Sequence, residues 1–272
     1  DVQLDINKLS VLRKYEPEIV KAGLCFITEA GFHPGLPAAL VRYAARNIDQ
    51  PKNAITSCFL NMGKSIPYTD AVDELMEVFK DYQAQTFKDG QWSKTGSFDY
   101  RSIDFGGEIG KKTCYSMFFE ELKILPGLYP SLRNVGFYIS GSNFIADWVI
   151  TPIIFLGLKI APMKGMRPLG KLMWWGMSLS KPPYIVQLQA EVIGEKDGSL
   201  LQSVISVAHP DGYELTAIPV VACLKQYLDV RKSKPGVWMM GQYVEPERLM
   251  KDMEKMGVKV KTSVEWHPNF VH

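Results

Sequence analysis

Histidine is the side chain best suited to moving protons near neutral pH. One of the four in this sequence, His33, stands where local geometry could use it. It lies in the stretch TEAGFHPGLPAALVRYAA, residues 28–45. Gly31 and Gly35 allow backbone conformations that other residues resist, Pro34 fixes its own φ, and His33 is pushed toward an extended form. Pro37 suits the first turn of a helix. The N–H groups around Gly35, Leu36 and Ala38 are therefore expected to point out of a helix N-terminus, which favours a carboxylate or a phosphate. His33 would stand beside that spot. The alternative is a plain strand-to-helix corner whose histidine caps a carbonyl.

A second polar group is HPDGYELTA, residues 209–217. Tyr213, Glu214 and Thr216 could form a cavity wall that hydrogen-bonds a polar substrate, with Glu214 as a candidate acid or base. Equally, Asp211-Gly212 is a turn signal and Thr216 could simply cap the helix that follows. His209 reads as a hairpin-end residue, and His267 and His272 lie near a chain end. Cys25, Cys58, Cys114 and Cys223 are far apart without metal-ligand spacing, so no metal is expected and the thiols read as reduced and mostly buried in a cytoplasmic protein. Stand-alone signatures are missing: there is no P-loop, no G-x-S-x-G and no H-E-x-x-H. The nearest approach to a dinucleotide G-x-G-x-x-G is GGEIG at 106–110, which has the wrong spacing and sits among turns.

The elements that must hold these residues follow from periodicity. A helix is expected over 9–23 and a buried strand over 24–30, then a helix (38–47), a strand (54–61) and a helix (69–82). Short β-rich runs separated by Gly-containing turns fill 85–119 and imply antiparallel hairpins, and 136–139 could add a strand. Residues 184–193 and 200–208 alternate cleanly around the turn GEKDGS, the strongest hairpin signal in the chain. A helix should follow Asp211, another should span 245–256 with Pro246 in its first turn and Gly257 as its stop, and a last strand should close the chain. The fold class is α+β: a mixed, largely antiparallel sheet with helices packed on it.

Composition agrees with a folded body, with 46% hydrophobic and 22% charged residues. A net charge of +2, with 29 acids offsetting the bases, excludes the basic stripe of a nucleic-acid binder. No signal peptide opens the sequence. The apolar segment 143–177 is interrupted by Asp147, Pro152, Lys159 and Pro162 before the roughly 20 residues of a spanning helix have passed. No membrane span is expected there. The segment reads as a helix pair buried in the domain or at a subunit interface, with Lys159, Lys164, Arg167 and Lys171 as its wet edge, which suggests a homodimer through 143–177. An interfacial patch anchored by Trp174 and Trp175 is the other reading.

Three stretches, EAGFHPGLPAALVRYAA (29–45), DGYELTAIPVVACLKQYLD (211–229) and KPGVWMMGQYVEPERLMKDMEKMGV (234–258), resemble the C-terminal part of saccharopine dehydrogenase-like oxidoreductases. The resemblance implies that residues 1–30 are the end of a Rossmann-type dinucleotide domain, a remnant helix and strand, and that 31–272 form the substrate-binding and dimerisation domain. It implies an NAD- or NADP-dependent enzyme for an amino-acid-like small molecule, its cofactor held mainly by the missing N-terminal domain. Gly31, Phe32, Pro34 and Gly35 would then touch the cofactor at the domain junction and His33 would stand between the two sites. Relatives often carry Asp at the position of His33, so a positioning role is expected for it. The competing expectation is a non-enzymatic binding or dimerisation module with the same fold, with an association to a membrane surface as a variant of it.

Overall fold

Where one helix was expected over 9–23, the computed structural model has two, α1 (Lys8–Lys14) and α2 (Glu16–Lys21), separated at Tyr15 just ahead of Pro17. Proline lacks the N–H that would continue the ladder. The structure describes residues 1, 8–62, 68, 70–80, 84–96, 99–161, 165–229 and 234–266. His267 and His272 lie outside them, as do Lys164 and Thr69. After α2 come β1 (Cys25–Thr28), α3 (Leu36–Ala45), β2 (Gln50–Asn61) and α4 (Asp70–Lys80). Two hairpins follow, β3 (Gln85–Lys88) with β4 (Gln91–Lys94) and β5 (Tyr100–Asp104) with β6 (Lys111–Met117). A 3-10 turn (Glu120–Ile124), α5 (Leu125–Leu128) and β7 (Asn134–Ser140) complete the first half.

The second half starts with a π-helical turn (Ala146–Ile150) that runs into α6 (Thr151–Ile160), then α7 (Met166–Ser178). β8 (Ile185–Lys196) and β9 (Ser199–His209) form the long hairpin that the sequence announces. The chain ends with α8 (Gly212–Asp229), β10 (Gly236–Met239), α9 (Met240–Tyr243), α10 (Pro246–Lys255) and β11 (Lys259–Trp266).

The large sheet runs β11-β9-β8-β2-β7-β3-β4, with β6 also against β7 and β5 beside it. Its pairings are antiparallel except β2 with β7. Alternation along β8 sends Val186, Leu188, Ala190 and Val192 into the core under α3, and Gln187 and Gln189 to the other face. That period of two is what lets one face be apolar and the other polar. On the apolar face α3 is buried along almost its whole length, with Leu36 and Leu40 fully enclosed, and α8 and α10 pack beside it.

The first strand, β1, does not stand alone. β1 pairs in parallel with β10, Cys25 opposite Gly236 and Thr28 opposite Met239, in a separate two-stranded sheet. Residues 236–239 carry too short a run to announce a strand in the sequence; the pairing partner makes it one.

At the start of α8 the cap is Asp211, whose Oδ1 accepts the N–H groups of Tyr213 (2.7 Å) and Glu214 (3.1 Å). Thr216 is therefore not the cap: it lies inside the helix and its hydroxyl donates to the Gly212 carbonyl. The helix begins one turn earlier than Thr216 because the short Asp side chain reaches the free N–H groups first. α10 is capped by Glu245, and the buried Gln226 of α8 holds that cap by accepting the Glu245 N–H (2.8 Å) and donating to its carbonyl (3.2 Å). Gln226→Ala should cost roughly 0.5–1.5 kcal/mol, because the Glu245 N–H loses its partner while its carbonyl keeps the Leu249 N–H. Urea unfolding of the variant against the parent reads this directly.

Candidate functional site

The corner between β1 and α3 gathers the titratable groups that lie deepest. Glu29 leaves β1 with φ 49°, the His33–Pro34 peptide is cis, and Gly35 begins α3 with φ 127°. A Cβ on Gly35 would stand 2.6 Å from both the Glu29 carbonyl and the Gly31 N, so only glycine fits this close fold-back. The N–H groups here face a carboxyl group supplied from inside the chain, one that burial holds in its protonated form at neutral pH. Glu121, wholly buried on the 3-10 turn, accepts the Gly35 N–H at 2.5 Å through Oε1 and the Ala38 N–H at 3.1 Å through Oε2.

Burial pushes the Glu121 carboxyl up to about 8, opposed by the Gly35 and Ala38 N–H groups and reinforced by nearby Glu29. Burial likewise raises Glu29 to about 7, opposed by Lys8 and reinforced by Glu120. Removing a carboxylate from water costs more here than two N–H bonds return. His33 moves the other way. Its ring lies stacked on Phe119 (5.7 Å) and edge-on to Phe137 (6.0 Å). An edge of the residue reaches the surface, but its Nε2 is shut in, and burial lowers its pKa to about 4. The imidazole is therefore neutral at pH 7, and the near-neutral proton exchange suggested by its residue type is displaced by the apolar rings around it.

α9 closes the corner from the far end of the chain. Arg42 of α3 donates to the carbonyls of Gly241 (2.7 Å) and Val244 (2.8 Å), drawing α9 onto α3. Gly241 then comes so near that a Cβ there would lie 2.7 Å from Glu121 Oε2 and 2.9 Å from the Gly35 carbonyl. Glu29 Oε2, His33 Nε2, Gln242 Oε1 and the Tyr243 hydroxyl are buried without hydrogen-bond partners among the described residues. Buried polar atoms are nearly always paired, so four orphans on elements that pack together mark a place where something polar belongs.

The other expected site residues lie elsewhere. Tyr213 and Glu214 are exposed at the start of α8, where Glu214 Oε2 sits 3.3 Å from His209 Nε2. Thr216 donates to the Gly212 carbonyl within its own helix and Glu214 meets His209, contacts that do not involve the His33 corner. A surface cavity of about 310 Å³, lined by Lys88, Lys94, Asp99, Arg101 and Tyr138 among others, opens on the opposite face of the sheet from Phe137 and His33. Gly106, Gly107 and Gly110 form the turn between β5 and β6, as their neighbourhood implied. The cysteines are free, and burial raises Cys114 to about 12 and Cys223 to about 11, so neither is a thiolate at neutral pH. Among the described residues no three His, Cys, Asp or Glu side chains gather as a metal would need.

Sequence reasoning missed Glu121, Glu29, Arg42 and Gly241. The one available signal was FFEELK at 118–123, an acidic pair behind two aromatics, where one acid must turn inward.

This arrangement can be set against proteins of known structure. Yeast saccharopine dehydrogenase (L-Glu forming) from Saccharomyces cerevisiae, in its apo histidine-tagged form, superposes over 97% of this chain and 78% of its own with a TM-score of 0.61 at 17% identity. The chain has the saccharopine dehydrogenase-like fold. In sequence, carboxynorspermidine synthase of Vibrio cholerae is 24% identical over 271 aligned positions, which cover 90% of this chain. The chain spans 64% of the length of that relative. No protein-family profile matches it. The α+β class, with its largely antiparallel sheet, is as the resemblance implied.

A dinucleotide phosphate does not fit the start of α3, because Glu121 already occupies the Gly35 and Ala38 N–H groups. No phosphate-binding step is assigned to Gly31, Phe32, Pro34 or Gly35.

The buried acids set a pH dependence for folding. Glu121 and Glu29 keep their protons in the fold up to about 8 and about 7, against an ordinary 4.5, so their contribution is whole below 4.5 and is lost as pH rises through those values. His33 works oppositely: its contribution is whole above 6.5 and is lost as pH falls toward about 4. Stability should therefore fall between pH 6.5 and 8, by about 1.4 kcal/mol per pH unit for each proton fully displaced. Glu121→Gln should lower stability overall and flatten that slope; thermal melts from pH 5 to 9 measure both.

Proposed function

We propose that this chain is the substrate-holding part, residues 31–272, of an NAD(P)-dependent oxidoreductase that works on a C–N bond of a carboxylate-bearing amine, with 1–30 the end of its dinucleotide domain. The single observation that carries the reading is the set of four orphaned polar atoms, Glu29 Oε2, His33 Nε2, Gln242 Oε1 and Tyr243 hydroxyl, on elements that pack together beside the remnant strand. The substrate class is supported by the names of the two similar proteins, a synthase of carboxynorspermidine and a dehydrogenase of saccharopine that forms L-Glu. A nicotinamide, bound by residues other than the α3 N-terminus, would accept or deliver the hydride.

The chain's own residues do the rest. Oxidation of an amine to an imine releases one hydride and one proton, and Glu29, held near 7, has the proton affinity to take that proton at neutral pH. His33 stays neutral and offers a fixed hydrogen-bonding nitrogen that water does not reach. Glu121 acts on neither atom of the reacting bond; it fixes the turn that holds the two. Glu214, exposed beside His209, has no part in this reading.

In the intact protein Glu29→Gln should lower kcat/KM by about 10²-fold or more and remove an inflection near pH 7 from the rate profile, with the variant still folded by its cooperative thermal melt. His33→Ala should lower it too. Unchanged turnover in both variants would return them to structure. Titration of the isolated chain with NADH or NADPH should show no micromolar binding, since no phosphate-cradling glycine loop is in its sequence.

A further inference from the structure

The segment from Phe144 through α7 buries only half of itself. Ile150, Ile154, Leu158 and Met173 meet Met76 of α4 in a small core, as the reading of a packed helix pair expected. The outward face is bare. Phe144 is 73% exposed, Trp148 59%, Leu156 60% and Ile160 75%, and Ile153 and Trp175 are exposed as well. Phe144, Trp148, Leu156 and Ile160 are thus exposed along one continuous helical run from 144 to 160, about 24 Å long at the usual 1.5 Å per residue. A contiguous apolar surface of this kind on a folded domain marks a contact. Trp175 is the exposed member of the tryptophan pair in α7, and Trp148, rather than the half-buried Trp174, is its companion.

Charge says what the contact is with. Lys159, Arg167, Lys171 and Lys181 are exposed around this face and form no ion pair among the described residues. The only acid between 144 and 181 is Asp147, which is turned inward with Oδ1 accepting the Ser142 N–H at 2.9 Å. On neighbouring α4, Asp73 accepts the Tyr68 hydroxyl and Glu77 pairs with Lys80. Among the described residues of 144–181 the unpaired charges beside this apolar face are therefore cations. A second copy of the chain, the homodimer expected from the sequence, would press this patch on itself across a two-fold axis. That would bring unpaired cations together, and the acid within the segment, Asp147, is turned inward.

We propose that this face seats the chain on an anionic lipid surface, with α6 lying in the headgroup plane. Among the described residues no helix is long and apolar enough to cross a membrane, so the contact is with one leaflet. Apolar side chains enter the headgroup boundary, the two tryptophans sit at the level suited to their amphipathic rings, and the cations meet the lipid phosphates and carboxylates.

Flotation of the chain with vesicles of phosphatidylcholine alone, and of phosphatidylcholine with phosphatidylserine, tests this. The chain should float with the anionic vesicles, less with the neutral ones, and come off as salt is raised. Trp148→Glu with Leu156→Glu should abolish flotation with the thermal melt unchanged, because both side chains are exposed. Lys159→Gln and Lys171→Gln, which remove only charge, should each lower partitioning roughly fivefold. The proposal fails if the chain stays in the soluble fraction with both vesicles, or if it binds both equally. It also fails if sedimentation shows a dimer that the Trp148→Glu, Leu156→Glu variant dissolves while neither protein floats.

Discussion

One carboxyl organises this molecule. Glu121 sits without solvent between the first turn of α3 and the close approach of α9, and it is the partner of the N–H groups on Gly35 and Ala38. A helix N-terminus buried with its donors unpaired would cost several times what a net hydrogen bond contributes. The remaining features follow from meeting that demand. Gly35 must be glycine so that the chain can fold back over Glu29 and Gly31, Gly241 must be glycine so that α9 can reach the carboxyl, and Arg42 holds α9 there. His33 is then carried against Phe119 and Phe137 with a neutral ring.

The sequence and the structure agree most where a pattern is local. The β8–β9 hairpin, the helix after Asp211 and the Pro246 start of α10 are each specified by residues within a few positions of one another, and each forms as read. The N-terminal corner was legible for the same reason: two glycines and two prolines leave few backbones open. What could not be read was the partner. Nothing local ties Glu121 to Gly35, 86 residues away, or Arg42 to Gly241, 199 away, because those contacts exist only once the sheet has brought the segments together. The same distance hid β10, four residues whose strand character comes from β1. Thr216 was misread for a nearer reason, since Asp211 and Thr216 compete for one capping role and the shorter side chain sits first in the chain.

The acid pair and the neutral histidine are one environment seen from two sides. Removal of water raises the proton affinity of Glu29 and Glu121 and lowers that of His33. A sequence cannot express this, since residue type alone suggests ionised carboxylates and a titrating imidazole. The inversion is what gives Glu29 a proton affinity matched to neutral pH while leaving the histidine a fixed dipole.

The pairing of β1 with β10 has a mechanical meaning. β10 leaves the large body after α8 and returns to it directly through α9, so it is a strand fixed at both ends, and β1 is fastened to it by four parallel rungs. A load applied ahead of α2 would therefore act in shear on that short ladder and pass straight into α9, which Arg42 and Gly241 hold on the Glu121 carboxyl. The contacts that lead from the first strand into the large body therefore run through the corner where the unpaired polar atoms lie.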